Sequence, residues 1–117
     1  MEAYQEAKLS NATELANQIP PGVSIQPIFV IEATYTADAA ERRPAVRAEH
    51  LTRIAKLIRD GVIIEAGGCL DLSTAIVLLH AASEEAALDI MRNDVYITAG
   101  VFTDLRVRPF GRVVPID

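Results

Sequence analysis

Two segments of this chain are apolar on both faces, and this limits its fold more than any other feature. In "PIFVIEATY" (27–35), Ile28 and Val30 alternate with Phe29 and Ile31; in "TAIVLLHA" (74–81), Ile76 and Leu78 alternate with Val77 and Leu79. A strand sends successive side chains to opposite faces, so each segment needs an apolar layer on both sides. The rest of the chain supplies two helices of useful length, and two helices cover only one face of a four-stranded sheet. The other face is left as a large apolar patch unless a second subunit packs against it, sheet to sheet. A homodimer is the expected partner arrangement.

The elements follow in a readable order. Strand one covers 28–35. "TADAAERR" is a polar connection, and Pro44 suits the first turn of a helix that runs to about Asp60, with Gly61 as terminator. Leu51, Ile54, Leu57 and Ile58 form its apolar stripe, with Arg47 and His50 on the same side. Glu49, Thr52, Arg53, Lys56 and Arg59 are expected to face water, with Glu49 placed to pair with Arg53. "VIIEAGG" is strand two, "LDLS" a tight connection and "TAIVLLHA" strand three. Ser83 caps a second helix whose apolar face carries Ala87, Ile90 and Met91. "RNDVYITAG" breaks that helix, and "VFTDLRVRPF" is strand four. The result is βαββαβ, an α+β ferredoxin-like unit with an antiparallel sheet of four strands. Residues 1–26 read as an N-terminal arm, with a short helix at "NATELANQI" ended by "PPG", and 27–117 as the domain.

Composition narrows the function. The chain has 117 residues, half of them hydrophobic, which fits one domain with a core of its own. A net charge of -5 argues against a nucleic-acid binder, and Arg106, Arg108 and Arg112 read as a solvated strand face. No apolar run is long enough to span a membrane, and the start lacks the pattern of a secretion signal. A single cysteine, Cys69, excludes an intrachain disulfide and fits a reducing, cytoplasmic setting. No H-x-H or H-E-x-x-H spacing supports a metal, and "AGG" lacks the further glycine of a phosphate loop, so neither metal nor cofactor is expected.

Topology gathers the chemically useful residues at one end. With strand one running up, that end receives Tyr35, the start of helix one with Arg47 and His50, and the end of strand two with Gly67, Gly68 and Cys69. The exit of helix two brings Asn93, Asp94 and Tyr96 to the same end. His50 therefore has a carboxylate within reach, although Asp94 is distant in sequence.

The words "VRAEHL", "AGG", "NDVYITAGVF" and "VRPFGRV" resemble, in order and spacing, the R-x-x-H-L, A-G-P, D-P-Y-x-x-A-G-V and K-P-F patterns of the YciI-like (YCII-related) family of dimeric α/β barrel proteins. The resemblance covers about 28–114. It implies that His50 and Asp94 match the family's proposed active-site pair and that Arg47 matches the arginine one turn earlier. It also implies activities such as isomerisation or dehalogenation of chlorinated aromatic or lactone intermediates in a few relatives. Three features depart from it: Val95 stands in place of proline, Gly68 replaces the proline of A-G-P, and the connection between strands two and three is short. A more open cavity, or one closed by the arm, is expected from the last of these.

Two readings stay open for each candidate. His50 with Asp94 suits general acid–base work, the carboxylate fixing the imidazole tautomer, or makes a purely structural pair. Arg47 holds a substrate anion or pairs with Asp94. Cys69 is a nucleophile or a buried inert thiol. Tyr96 and Tyr35 line a pocket with polar tips, Gly67 and Gly68 give backbone access to a ligand, and His80 is a packed or interface residue. The expected function is cofactor-free proton transfer on a small anionic molecule. The alternatives are a binding or accessory module without turnover and, by analogy of fold, a cofactor-independent monooxygenase.

Overall fold

The computed structural model describes residues 18–116, so the helix expected at "NATELANQI" lies almost wholly outside the described residues. Two compact units are distinguished. The larger spans Pro27–Gly111; the smaller is described over 18–26 and 112–116 and takes in the first residues of strand β1 and the last of strand β4. In the smaller unit the Ile116 N–H donates to the Gly22 carbonyl at 2.7 Å, and Arg112 Nη1 donates to Gln26 Oε1 at 3.0 Å.

The described elements are β1 (Val23–Tyr35), α1 (Ala39–Arg42), a 3₁₀ turn (Arg43–Ala45), α2 (Arg47–Arg59), β2 (Ile63–Gly68), β3 (Thr74–Leu79), α3 (Glu84–Arg92), α4 (Val95–Thr98) and β4 (Phe102–Pro115). The four strands form an antiparallel sheet in the order β2-β3-β1-β4, the ferredoxin-like arrangement expected from βαββαβ. The fold is thus α+β.

Register divides the sheet residues between its faces. Phe29 pairs with Leu79, Ile31 with Val77 and Ala33 with Ala75. This face meets Ile54 of α2, Ala87 and Met91 of α3 and Tyr96 of α4 in a single buried cluster. The opposite face carries Val30 beside Leu78 and Glu32 beside Ile76, with Glu32 in an ion pair with Arg108. It is less bare than alternation implies: Ile76 is 38% exposed, but Val30 is only 8% exposed and Ile28 only 3%. In β2 the pairing slips between Ile63 and Glu65, leaving Ile64 as an extra residue. The bulge puts Ile63 and Ala66, three positions apart, on the helix-covered side.

The first helical region is broken where one helix was expected. Asp38 binds Arg42 Nε through both carboxylate oxygens at 2.9 Å, Pro44 sits in a 3₁₀ turn, and α2 begins only at Arg47. Its apolar stripe is also narrower. Ile54 is buried, while Leu51 is 50% and Ile58 42% exposed. Ser83 caps α3 as expected, its hydroxyl accepting from the Ala86 N–H at 3.0 Å. "RNDVYITAG" is more than a breaker, because it contains the single-turn helix α4.

Gly61 closes α2 with φ +78°. The Gly61 N–H donates to Ile58 O and the Val62 N–H to Leu57 O, both at 3.0 Å, the paired bonds of a Schellman terminus. A Cβ at Gly61 meets nothing within 4 Å. Gly61→Ala therefore isolates the cost of a left-handed alanine. It should destabilise the fold by about 1–2 kcal/mol in denaturant unfolding, with an unchanged m-value.

Candidate functional site

Asp94 has no solvent exposure and is the one fully buried charged residue among those described. It leaves α3 in an extended conformation (φ -80°, ψ 144°) and caps α4, its Oδ1 accepting from the Tyr96 N–H at 2.9 Å. His50 Nδ1 lies 2.7 Å from the same oxygen, and Arg53 Nη1 donates to Oδ2 at 3.1 Å. The second Arg53 nitrogen, Nη2, donates to the Ile90 carbonyl at 2.6 Å. Burial opposes ionisation of Asp94, but the bonds from His50, Tyr96 and Arg53 outweigh it and hold its pKa below the usual carboxylate value.

The arrangement brings His50 and Asp94 together and changes the part given to a third residue. Arg53 was expected to face water and pair with Glu49; instead it binds Asp94. Arg53 follows His50 by three positions, so both project from one side of α2, and that spacing was the available signal. Arg47 does not pair with Asp94. It is exposed, lines a cavity, and among the described residues makes no ion pair.

That cavity, of about 180 Å³, is walled by His50, Tyr96 and Phe102, with Ile54, Ala75, Val77 and Met91 among its apolar lining. The His50 ring lies flat on the Tyr96 ring, with centroids 3.6 Å apart and planes 7° apart. Phe102 meets both rings edge-on. The imidazole plane is thus fixed by stacking on one side and by the Asp94 bond at its rim. If the ionised carboxylate accepts from Nδ1–H, then Nε2 is the ring's basic nitrogen. Burial, with Tyr35 and Asp94 nearby, raises the Tyr96 phenol above its ordinary pKa, while Arg43 and Arg47 pull it down. The phenol is therefore a neutral donor near pH 7.

Gly67, Gly68 and Cys69 all line the cavity. Gly68 has a steric reason to be glycine, because a methyl there would overlap the Tyr35 hydroxyl; Gly67 has open space around it. Cys69 is exposed at the rim and is not the buried thiol that was one of its two readings. The short connection after β2 takes part in the wall through Leu70 and Leu72, the latter at φ +59°. Val95, at the first position of α4, leaves the Asp94 cap intact. Arg43 also lines the cavity, and nothing in its sequence spacing marked it. His80 does not line it; its N–H donates to Val62 O at 2.9 Å. Among the described residues, no helix is long and apolar enough to cross a membrane.

The model of the YCII-related domain matches residues 28–111, and the chain belongs to that family. It is 32% identical over 96 residues to protein YciI of Escherichia coli O6:H1, covering 74% of this chain and 98% of the relative. It is 30% identical over 95 residues to an uncharacterized protein of Haemophilus influenzae, covering 73% of this chain and 97% of that one. A similar solved structure is 5-chloro-2-hydroxyhydroquinone dehydrochlorinase (TftG) of Burkholderia phenoliruptrix AC1100 in complex with 2,5-dihydroxybenzoquinone. The TM-score is 0.60 at 21% identity, over 69% of this chain and 90% of that chain. This likeness establishes the fold.

Because the folded pKa of Asp94 is depressed, its ionisation adds stability that is present above the unfolded value of about 4 and is lost as pH falls through the folded value. Asp94→Ala should cost about 2–4 kcal/mol at pH 7, since it strands a part-buried guanidinium and imidazole. The gap between wild type and variant should narrow below about pH 4, as followed by urea unfolding across pH. A gap independent of pH would mean that the carboxylate's charge does not contribute.

Proposed function

We infer that this YCII-related protein is an acid–base enzyme acting on a small anionic organic molecule by isomerisation, elimination or dehalogenation. The observation that carries this reading is a cavity-lining imidazole whose Nδ1 is engaged by a fully buried carboxylate. Asp94 would set the tautomer and steady the imidazolium, His50 Nε2 would take and return a substrate proton, and Arg47 would hold the anion. Tyr96 and the backbone at Gly67 and Gly68 would line the substrate. The similar fold of a protein named as a dehydrochlorinase, and solved with a dihydroxybenzoquinone, makes a hydroxylated ring the first substrate class to try.

Chloride release from 5-chloro-2-hydroxyhydroquinone is the direct test. His50→Gln, which keeps a polar side chain but loses the base, should reduce turnover by about 10²–10⁴-fold with the fold retained by circular dichroism. Turnover equal to wild type in that variant would sink the reading. A molecule that binds without being converted would favour a binding or accessory module, and oxygen uptake on turnover would favour an oxygenase.

We also propose that the subunits pair through the open face of the sheet, because the helices contribute to the core on only one side. Ile76, with Leu78 on the same face, supplies apolar contact there, and the Glu32–Arg108 pair gives it a polar element. Light scattering at micromolar concentration should return about twice the chain mass, and Ile76→Lys should shift it toward the monomer. A wild-type monomer at that concentration would rule the arrangement out.

A further inference from the structure

The polar groups around the cavity fall into two sets. Asp94, Arg53 and the Nδ1 side of His50 are bound to one another, and their hydrogen-bonding capacity is largely used within the protein. Arg43, Arg47, Tyr35 and Tyr96 make no side-chain hydrogen bond to any other described residue, and the two arginines are in no ion pair among those residues. Tyr96 is 2% exposed, yet no buried side-chain oxygen or nitrogen among the described residues lacks a partner. Tyr96 lines the cavity. The Tyr35 hydroxyl comes against the Gly68 backbone, at the same wall.

Four donors without acceptors among the described residues, two of them permanently cationic, mark a place for anionic oxygen. The surrounding charge sharpens the point. The chain carries -5 overall, but among the described residues the one carboxylate at the site is neutralised by Arg53 and engaged by His50, and none of them forms an ion pair with Arg43 or Arg47. Between the donors lie Ile54, Ala75, Val77 and Phe102, which suit a flat apolar body. A cavity of roughly 150 Å³ takes benzene. The 180 Å³ here is room for one six-membered ring with small substituents.

We propose that Arg43 and Tyr35 join Arg47 and Tyr96 in a four-donor site that selects a single-ring compound bearing two anionic oxygens. This specifies the substrate class of the acid–base reading and rests on that reading only for the proton transfer, not for binding. Two guanidiniums favour a dianion over a monoanion of the same shape, and the phenols donate to its oxygens without adding charge. Arg43 and Tyr35 are then residues that determine specificity, and His50 remains the group that moves the proton.

The test uses the full chain and two ring compounds of similar size: 2,5-dihydroxybenzoquinone, a vinylogous diacid that is anionic at neutral pH, and hydroquinone, which is neutral there. Titration calorimetry at low salt should show the diacid binding at least about tenfold more tightly, the effect of one charge-assisted contact. Arg43→Gln should weaken the diacid by about tenfold and leave hydroquinone unchanged. Tyr35→Phe should weaken the diacid less, and added salt should narrow the preference. His50→Gln should retain the preference even where it abolishes turnover, so failure of the catalytic reading is distinguishable from failure of this one. Equal affinity for the two compounds, binding of neither, or an Arg43→Gln variant that is folded and keeps full affinity for the diacid would each overturn the proposal.

Discussion

A carboxylate with no solvent exposure organises this molecule. Removing Asp94 from water costs several kcal/mol unless its oxygens are well partnered. Its partners come from separate elements: His50 and Arg53 from α2, and the Tyr96 N–H from the first turn of α4. Arg53 then carries the connection on to the Ile90 carbonyl in α3. Three helices are thereby tied to one side chain, and the orientation of His50 follows from satisfying that charge. Stability and imidazole alignment are the same set of bonds. Losing activity on removal of Asp94 or Arg53 therefore says little about chemistry unless stability is measured beside it.

The general plan was readable because it rests on local patterns with physical meaning. Alternation and β-branched content marked the strands, Ser83 and Gly61 punctuated the helices, and the βαββαβ order brought His50 and Asp94 to one end. Features that depend on exceptions to periodicity were not readable. The bulge at Ile64 puts Ile63 and Ala66 on one side of β2, where simple alternation places them on opposite faces. The single turn of α4 is too short for any periodic signal; it exists because Asp94 caps it. Strand one was read as apolar on both faces with one of them bare, but Ile28 and Val30, on the face away from the helices, are buried in the single chain, so the apolar patch is smaller than alternation implied.

The site was legible only in part, for a related reason. Arg53 carries the spacing of a partner to His50, but an arginine on a helix flanked by charged neighbours also fits a solvated face. The buried acceptor that decides between them comes from another element. Arg43 had no helical phase to read, since it lies in the 3₁₀ turn before α2. Gly68 looked like a departure from a family pattern and has a local cause in the Tyr35 hydroxyl. In each case the missing information was a contact between segments distant in sequence.

Which polar groups are already bonded within the protein therefore separates framework from binding surface. A buried donor or acceptor left unpaired costs about 1–3 kcal/mol, so folding tends to pair every polar group it buries. Asp94, Arg53 and the Ile90 carbonyl meet that requirement among themselves and have little left to offer a ligand. The Tyr96 hydroxyl has no such partner among the described residues, and Tyr96 lines the cavity. A ligand entering a cavity displaces water and must replace its hydrogen bonds. A purely apolar ring of the right size would leave the phenol unpaired and would bind less well than its volume suggests. Shape thus admits a ring, and the unengaged donors determine which ring is retained.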